Sequence, residues 1–247
     1  MPSLRDPKLK LRRAKEHLDA LNVEIGLLKK SKAKIISTED DFEHQWYVVK
    51  INFPTSPHQS TASLIAGDFV SCLRSSLDHL AWELALLTTD TPSRDICFPI
   101  CEKNSLDTQI RIVKSTFGIP EGAVSLMKSL QPYNSGDAYK STHLWRLNRL
   151  WNIDKHREVT PHNVITDWIF TFESDAEVIT ESFGDTGIMK FPLALKDEVE
   201  LNPDAIGTEI VFGERKDGIR IKLGDFVEMY EFVANSVLPA FAGFFSE

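Results

Sequence analysis

The chain has 247 residues, of which 42% are hydrophobic and 10% aromatic, with a formal net charge of −8. That length suits one domain, or one core with an appended subdomain, and supports a sizeable buried interior. No apolar run approaches the roughly 18–20 residues that cross a bilayer, the charged N-terminus lacks a signal-peptide core, and three cysteines are too few for a disulfide scaffold. These features exclude a membrane partner and imply a soluble, cytoplasmic protein with reduced thiols.

The charge is uneven. Residues 1–34 hold ten Lys/Arg against four Asp/Glu, so they carry +6 and the remainder −14. A basic stretch can attract RNA or another anion, or it can be the solvated face of a long helix.

The first predicted element is that helix. Leu11, Ala14, Leu18, Leu21, Ile25 and Leu28 alternate at spacings of three and four, the pattern of a helix lying along another. Lys29, Lys30, Lys32 and Lys34 suit its C-terminal end. The β-branched and aromatic run of residues 45–53 then predicts a strand, closed by Pro54. A second long helix is expected from about Thr61 to Leu87, with Phe69, Leu73, Leu77, Leu80, Leu84 and Leu87 on one stripe. Ile65, Cys72 and Leu86 fall on other sides, so this helix should be central. A loop over 88–104, short helices between Ser105 and Leu130, and a third main helix over Tyr139–His156 follow.

Beyond Pro161 the texture changes to short β-type runs separated by SD, GDTG, NPD and KDG turns. From Asp225 a last helix begins, and Pro239 should kink it. The expected fold class is α+β: a helical bundle over 1–160 carrying the early strand, an appended antiparallel β-sheet over 162–223, and a C-terminal helix over 225–247 packing back on the bundle. The early strand could join the sheet at an edge.

Two polar clusters interrupt the apolar helices. In RSSLDHLAW (Arg74–Trp82), Arg74 and Asp78 are four apart, share a face and can pair. Arg74 lies about 60° from Leu77 around the helix, which points to a partly buried pair. His79 lies about 140° from Arg74 and faces another side. In the second cluster, His143 and Asp154 fall within the stripe of Leu144, Leu147 and Trp151, with Lys155, His156 and Arg157 beside them. A buried carboxylate without a partner is costly, so Asp154 should find one, with Arg74 or His79 the best candidates. Each cluster also has a purely structural reading, as a salt bridge, a core histidine or a helix cap.

RSSLDHLAW, the FPI segment (Phe98–Ile100) and NIDKHR (Asn152–Arg157) resemble an uncharacterised bacterial family with LRSxLDHLAW and NxDKHR motifs. More loosely, Arg74-Ser-Ser-Leu-Asp-His79 is similar to the R-x4-H motif of HEPN-like helical domains. That resemblance implies a homodimer acting as a metal-independent ribonuclease, with His79 as general acid/base and Arg74 stabilising phosphorane charge. Asp78, His143, Asp154, His156 and Arg157 would support the site. Helix 1 with Lys140, Arg146, Arg149, Lys155 and Arg157 would supply phosphate contacts.

Three functions therefore compete: a structural or interaction protein with a satisfied polar core, the HEPN-like RNase or RNA-binding protein, and a metal-dependent bundle enzyme. The last would draw on His79, His143, His156 and Asp78 or Asp154, but no H-x3-H or E-x2-H pair appears, and Cys97 and Cys101 make a single C-x3-C. No phosphate-binding glycine loop and no G-x-S-x-G is present, which argues against nucleotide-fuelled and α/β-hydrolase chemistry; the leading reading expects no cofactor and no metal.

Overall fold

The computed structural model describes residues 1–30, 34–54, 56–156, 159, 161–168, 178–183, 186–199, 206–212 and 220–245. Its fold is α+β, as the sequence predicts. The chain divides into two compact units. One comprises Met1–Ala20, Leu64–Val159 and Gly224–Glu247, and the other Leu21–Ser63 and Thr160–Leu223.

The first unit is helical. It holds most of α1 (Arg5–Leu28) and of α2 (Pro57–Ala85), then α3 (Leu106–Ser115), α4 (Glu121–Ser129), α5 (His143–Asp154), α6 (Leu223–Phe232) and α7 (Leu238–Phe241). All six residues of the α1 stripe are buried, as their spacing requires. On α2, Ala66, Phe69, Val70, Leu73, Leu77, Leu80, Ala81 and Leu84 are fully buried, which confirms a central helix. Ser76 Oγ donates to the Pro7 carbonyl at 3.0 Å, tying α2 to α1. The Phe69 ring meets Phe226 of α6 at 5.4 Å.

Several helix details differ from expectation. The first is that α2 runs Pro57–Ala85 rather than about Thr61–Leu87, since a proline in the first turn needs no N–H partner. The third main helix starts at His143, not Tyr139, because Thr142 takes an extended backbone and caps it, its hydroxyl accepting from the Trp145 N–H. A 3-10 stretch, Pro132–Ser141, precedes it. At the C-terminus Pro239 does not simply kink the helix. The helix widens into a π turn over Val233–Val237 just ahead of it. Proline has no N–H and crowds the carbonyl four residues back, and the wider turn accommodates both.

The second unit is built on two antiparallel sheets. One has the order β1-β2-β5-β4, from Lys34–Asp41, Trp46–Asn52, Thr186–Pro192 and Ile179–Phe183. The other has the order β3-β6-β7, from Pro161–Trp168, Ile206–Phe212 and Ile221–Lys222. The single sheet over 162–223 with an early strand at its edge is thus corrected. The early strand, β2, is interior, paired with β1 on one side and β5 on the other. The edge beside it belongs to β1, which sequence reading missed. Its KIISTEDD is mostly exposed and acidic, a composition that blunts an edge strand but hides its β character. Alternate residues Tyr47, Val49, Ile51 and Phe53 pack with Met189 and Phe191 to form this unit's core.

Candidate functional site

The site lies in the helical unit, where residues 96–101, a segment without regular structure, are bonded to α2. Ile96, Phe98, Pro99, Ile100 and Cys101 are buried there. A buried segment outside helix or sheet must find partners for its backbone polar groups. Side chains supply most of them. Asp78 Oδ1 accepts the Phe98 N–H at 3.0 Å, and Arg74 Nη2 donates to the Phe98 carbonyl at 2.6 Å. The same Nη2 sits 2.9 Å from Asp78 Oδ1, closing a ring of three contacts around one residue.

Further along, Gln131 repeats the device. Its Nε2 donates to the Pro99 carbonyl at 2.8 Å and its Oε1 accepts the Cys101 N–H at 2.9 Å. Arg111 Nη2 donates to the Ile100 carbonyl at 3.2 Å, and the Cys97 N–H reaches the Ser115 carbonyl at 3.2 Å. Pro99 contributes no donor that would need a partner. The FPI motif is therefore a strap, and Arg74, Asp78 and Gln131 are its clamps. Gln131 was not anticipated, because nothing in the sequence around it signals that this glutamine is buried.

Electrostatics follow from this burial. Arg74 is only 5% exposed. Its Cζ lies 5.2 Å from the centroid of the Trp151 ring, which Lys155 Nζ approaches to 3.1 Å. Its Nε and Nη1 have no hydrogen-bond partner among the described residues. Burial pushes the Asp78 carboxyl above its ordinary value, while the Arg74 guanidinium and the Phe98 N–H pull it back in part. Burial, followed by the neighbouring Asp78 charge, also raises the Cys97 thiol.

The other candidate residues are placed differently. His79 is half-buried on the far side of α2 from Arg74 and makes no hydrogen bond among the described residues. His143 stacks against Phe232 at 5.1 Å, with its Nδ1 buried and unbonded among the described residues. It borders a shallow pocket of about 530 Å³ lined also by Glu228, Glu231, Asn235 and Ser236. His156 is exposed, and Arg157 lies outside the described residues.

Asp154 corrects an expectation. It is half-buried, and among the described residues it has neither Arg74 nor His79 nor any other hydrogen-bond or ion-pair partner. Its carboxylate instead packs on Gly67 of α2, where a Cβ would overlap Oδ1 and come within 3.0 Å of Cγ. Partial burial, and then the charge of Asp68, raise its pKa. Asp68 in turn lies 4.0 Å from His17. Helices α2 and α5 do bring their polar clusters into proximity, but through Trp151 and Lys155 rather than Asp154.

Among the phosphate-contact candidates, Arg146 is committed to an ion pair with Asp225, and Lys140 lies 5.9 Å from the Tyr139 ring. Among the described residues no three His, Cys, Asp or Glu side chains converge as metal ligands, and no helix is long and apolar enough to cross a membrane. Comparisons with known protein families, with curated proteins and with solved structures find no match to this chain.

Proposed function

We propose that the chain has a structural or interaction role, and that the Arg74/Asp78 pair at its centre locks a helical scaffold instead of processing a substrate. One observation supports this reading above the others: Arg74 Nη2 is shared between the Phe98 carbonyl and Asp78, in a side chain 5% exposed. A guanidinium that stabilises a phosphorane must reach the reacting phosphate, and this one is committed to the protein's own backbone. The free thiols of Cys72, Cys97 and Cys101 suit a reducing compartment such as the cytoplasm.

The HEPN-like ribonuclease is the second reading, with a second copy and single-stranded RNA as partners. It is supported by His79, half-buried and unbonded among the described residues, and by the two unbonded nitrogens of Arg74. Incubation of the protein with single-stranded RNA in EDTA, beside thermal melts of the wild type, Arg74→Ala and His79→Ala, separates the two. The structural reading expects intact RNA, a strongly destabilised Arg74→Ala and a mildly affected His79→Ala. RNA cleavage lost in a stably folded His79→Ala would reverse the order of the two readings. Loss of stability on adding EDTA would instead revive the metal-dependent enzyme.

A further inference from the structure

Helix α3 buries Ile112 and Ser115 on one side. On the opposite side it exposes four large apolar residues in a row. Leu106 is 77% exposed, Ile110 58%, Val113 61% and Phe117, just past the helix end, 73%. Their spacing of four, three and four confines them to an arc of about 60° at 100° per residue. Exposed apolar residues scattered singly need no explanation, but a contiguous row on one short helix marks an interaction surface.

The polar residues beside the row identify its occupant. Asp107 in the first turn and Lys114 in the last lie on the same flank of the stripe, within about 20° of each other around the axis. Gln109 and Thr116 occupy the other flank. When two copies of a helix pair antiparallel about a two-fold axis, each flank meets the same flank of the partner with its ends reversed. Asp107 of one copy then faces Lys114 of the other, twice. A parallel pairing would set this flank against Gln109 and Thr116 and form neither ion pair. The antiparallel arrangement also opposes the two helix dipoles. Leu106 would meet Phe117 and Ile110 would meet Val113 across the axis, about the same midpoint to within a residue. Lys114 lies 3.3 Å from Asp95 of its own chain, but both side chains are exposed, so that pair can exchange for the intermolecular one.

We propose that α3 is a self-association surface whose occupant is the α3 of a second copy, packed antiparallel. The proposal goes beyond the structural reading above and uses none of the clamp residues, so either can fail without the other. A contact of this size makes a transient dimer, visible as concentration-dependent association.

Sedimentation velocity over a micromolar concentration series tests it. The wild type should show reversible monomer–dimer exchange. Ile110→Glu should weaken association about tenfold or more while keeping a native circular dichroism spectrum, since the residue is exposed. Asp107→Lys and Lys114→Asp should each weaken it by about twofold to tenfold, and the double reversal should restore the wild-type value. A wild type that stays monomeric throughout, or one whose dimer is indifferent to Ile110→Glu, overturns the surface. Charge reversals that fail to rescue each other overturn the antiparallel pairing.

Discussion

Asp78 and Asp154 make an instructive pair. Both are aspartates on helices with apolar stripes, both are partly withdrawn from water, and both have their carboxyl pushed upward by burial. Asp78 holds an arginine and a backbone amide. Asp154 rests on a glycine and feels a second carboxylate. The difference is one of partners rather than residue type. A buried carboxylate stabilises a fold only when donors converge on it, and at Asp78 one donor is Arg74 on its own helix while the other, the Phe98 N–H, comes from a strap 20 residues away in sequence.

The largest effect expected from this contrast is at Arg74. Arg74→Ala strands Asp78 and the Phe98 carbonyl together, and should cost about 3 kcal/mol or more in urea unfolding. Arg74→Lys should recover only part, since one ammonium cannot reproduce the planar fork. A variant within 0.5 kcal/mol of wild type, a margin about that of ordinary surface substitutions, would erase the distinction between the two aspartates.

Gln131→Ala comes next. It removes three hydrogen bonds, two of them to the strap, and should cost roughly 1–3 kcal/mol through unsatisfied buried backbone groups. A loss at Gln131 as large as that at Arg74 would mean that burial of the strap, not charge pairing, dominates the clamp.

A third test addresses Gly67. Glycine inside a helix is worth about 1 kcal/mol less than alanine, yet here the missing Cβ makes room for the Asp154 carboxylate. Gly67→Ala alone should therefore destabilise. In the Asp154→Ala background it should become neutral or stabilising, a sign change of about 1 kcal/mol overall by double-mutant cycle. Additive effects would show that α5 does not press on Gly67.

The smallest effect concerns pH. A carboxyl raised in the folded state holds its proton more tightly there than in the unfolded chain. Its contribution is therefore most favourable below the ordinary value of about 3.9 and declines as pH climbs through the raised one. Asp154→Asn should match or exceed the wild type at neutral pH, within about 0.5 kcal/mol given its exposure, and the difference should vanish at the acid end. Loss of stability at neutral pH would mean that the ionised carboxylate is needed.

Much of this architecture was legible because it rests on periodicity. The α1 stripe, the central character of α2 and the i,i+4 pairing of Arg74 with Asp78 all follow from helical geometry. The strap was not legible, because its hydrogen bonds run from side chains to backbone atoms, which carry no sequence signature. Asp154 misled for a related reason. A helical wheel shows that a carboxylate points inward, but not that the facing residue is a glycine offering space instead of charge. Strand β1 escaped because its solvent-facing acidic residues follow the needs of an edge, not of a core.

The central claim is that Arg74 and Asp78 are occupied by the backbone of Phe98. Amide hydrogen exchange at Phe98 tests it most directly, because that N–H belongs to no helix or sheet and is held by Asp78 alone. The account predicts that in the wild type it exchanges only through large-scale unfolding, and that in Arg74→Ala it exchanges much faster than the core amides of α2. Rapid exchange of Phe98 in the intact wild type, at the rate of an open loop, would contradict the clamp and return Arg74 to the list of groups free to meet a ligand.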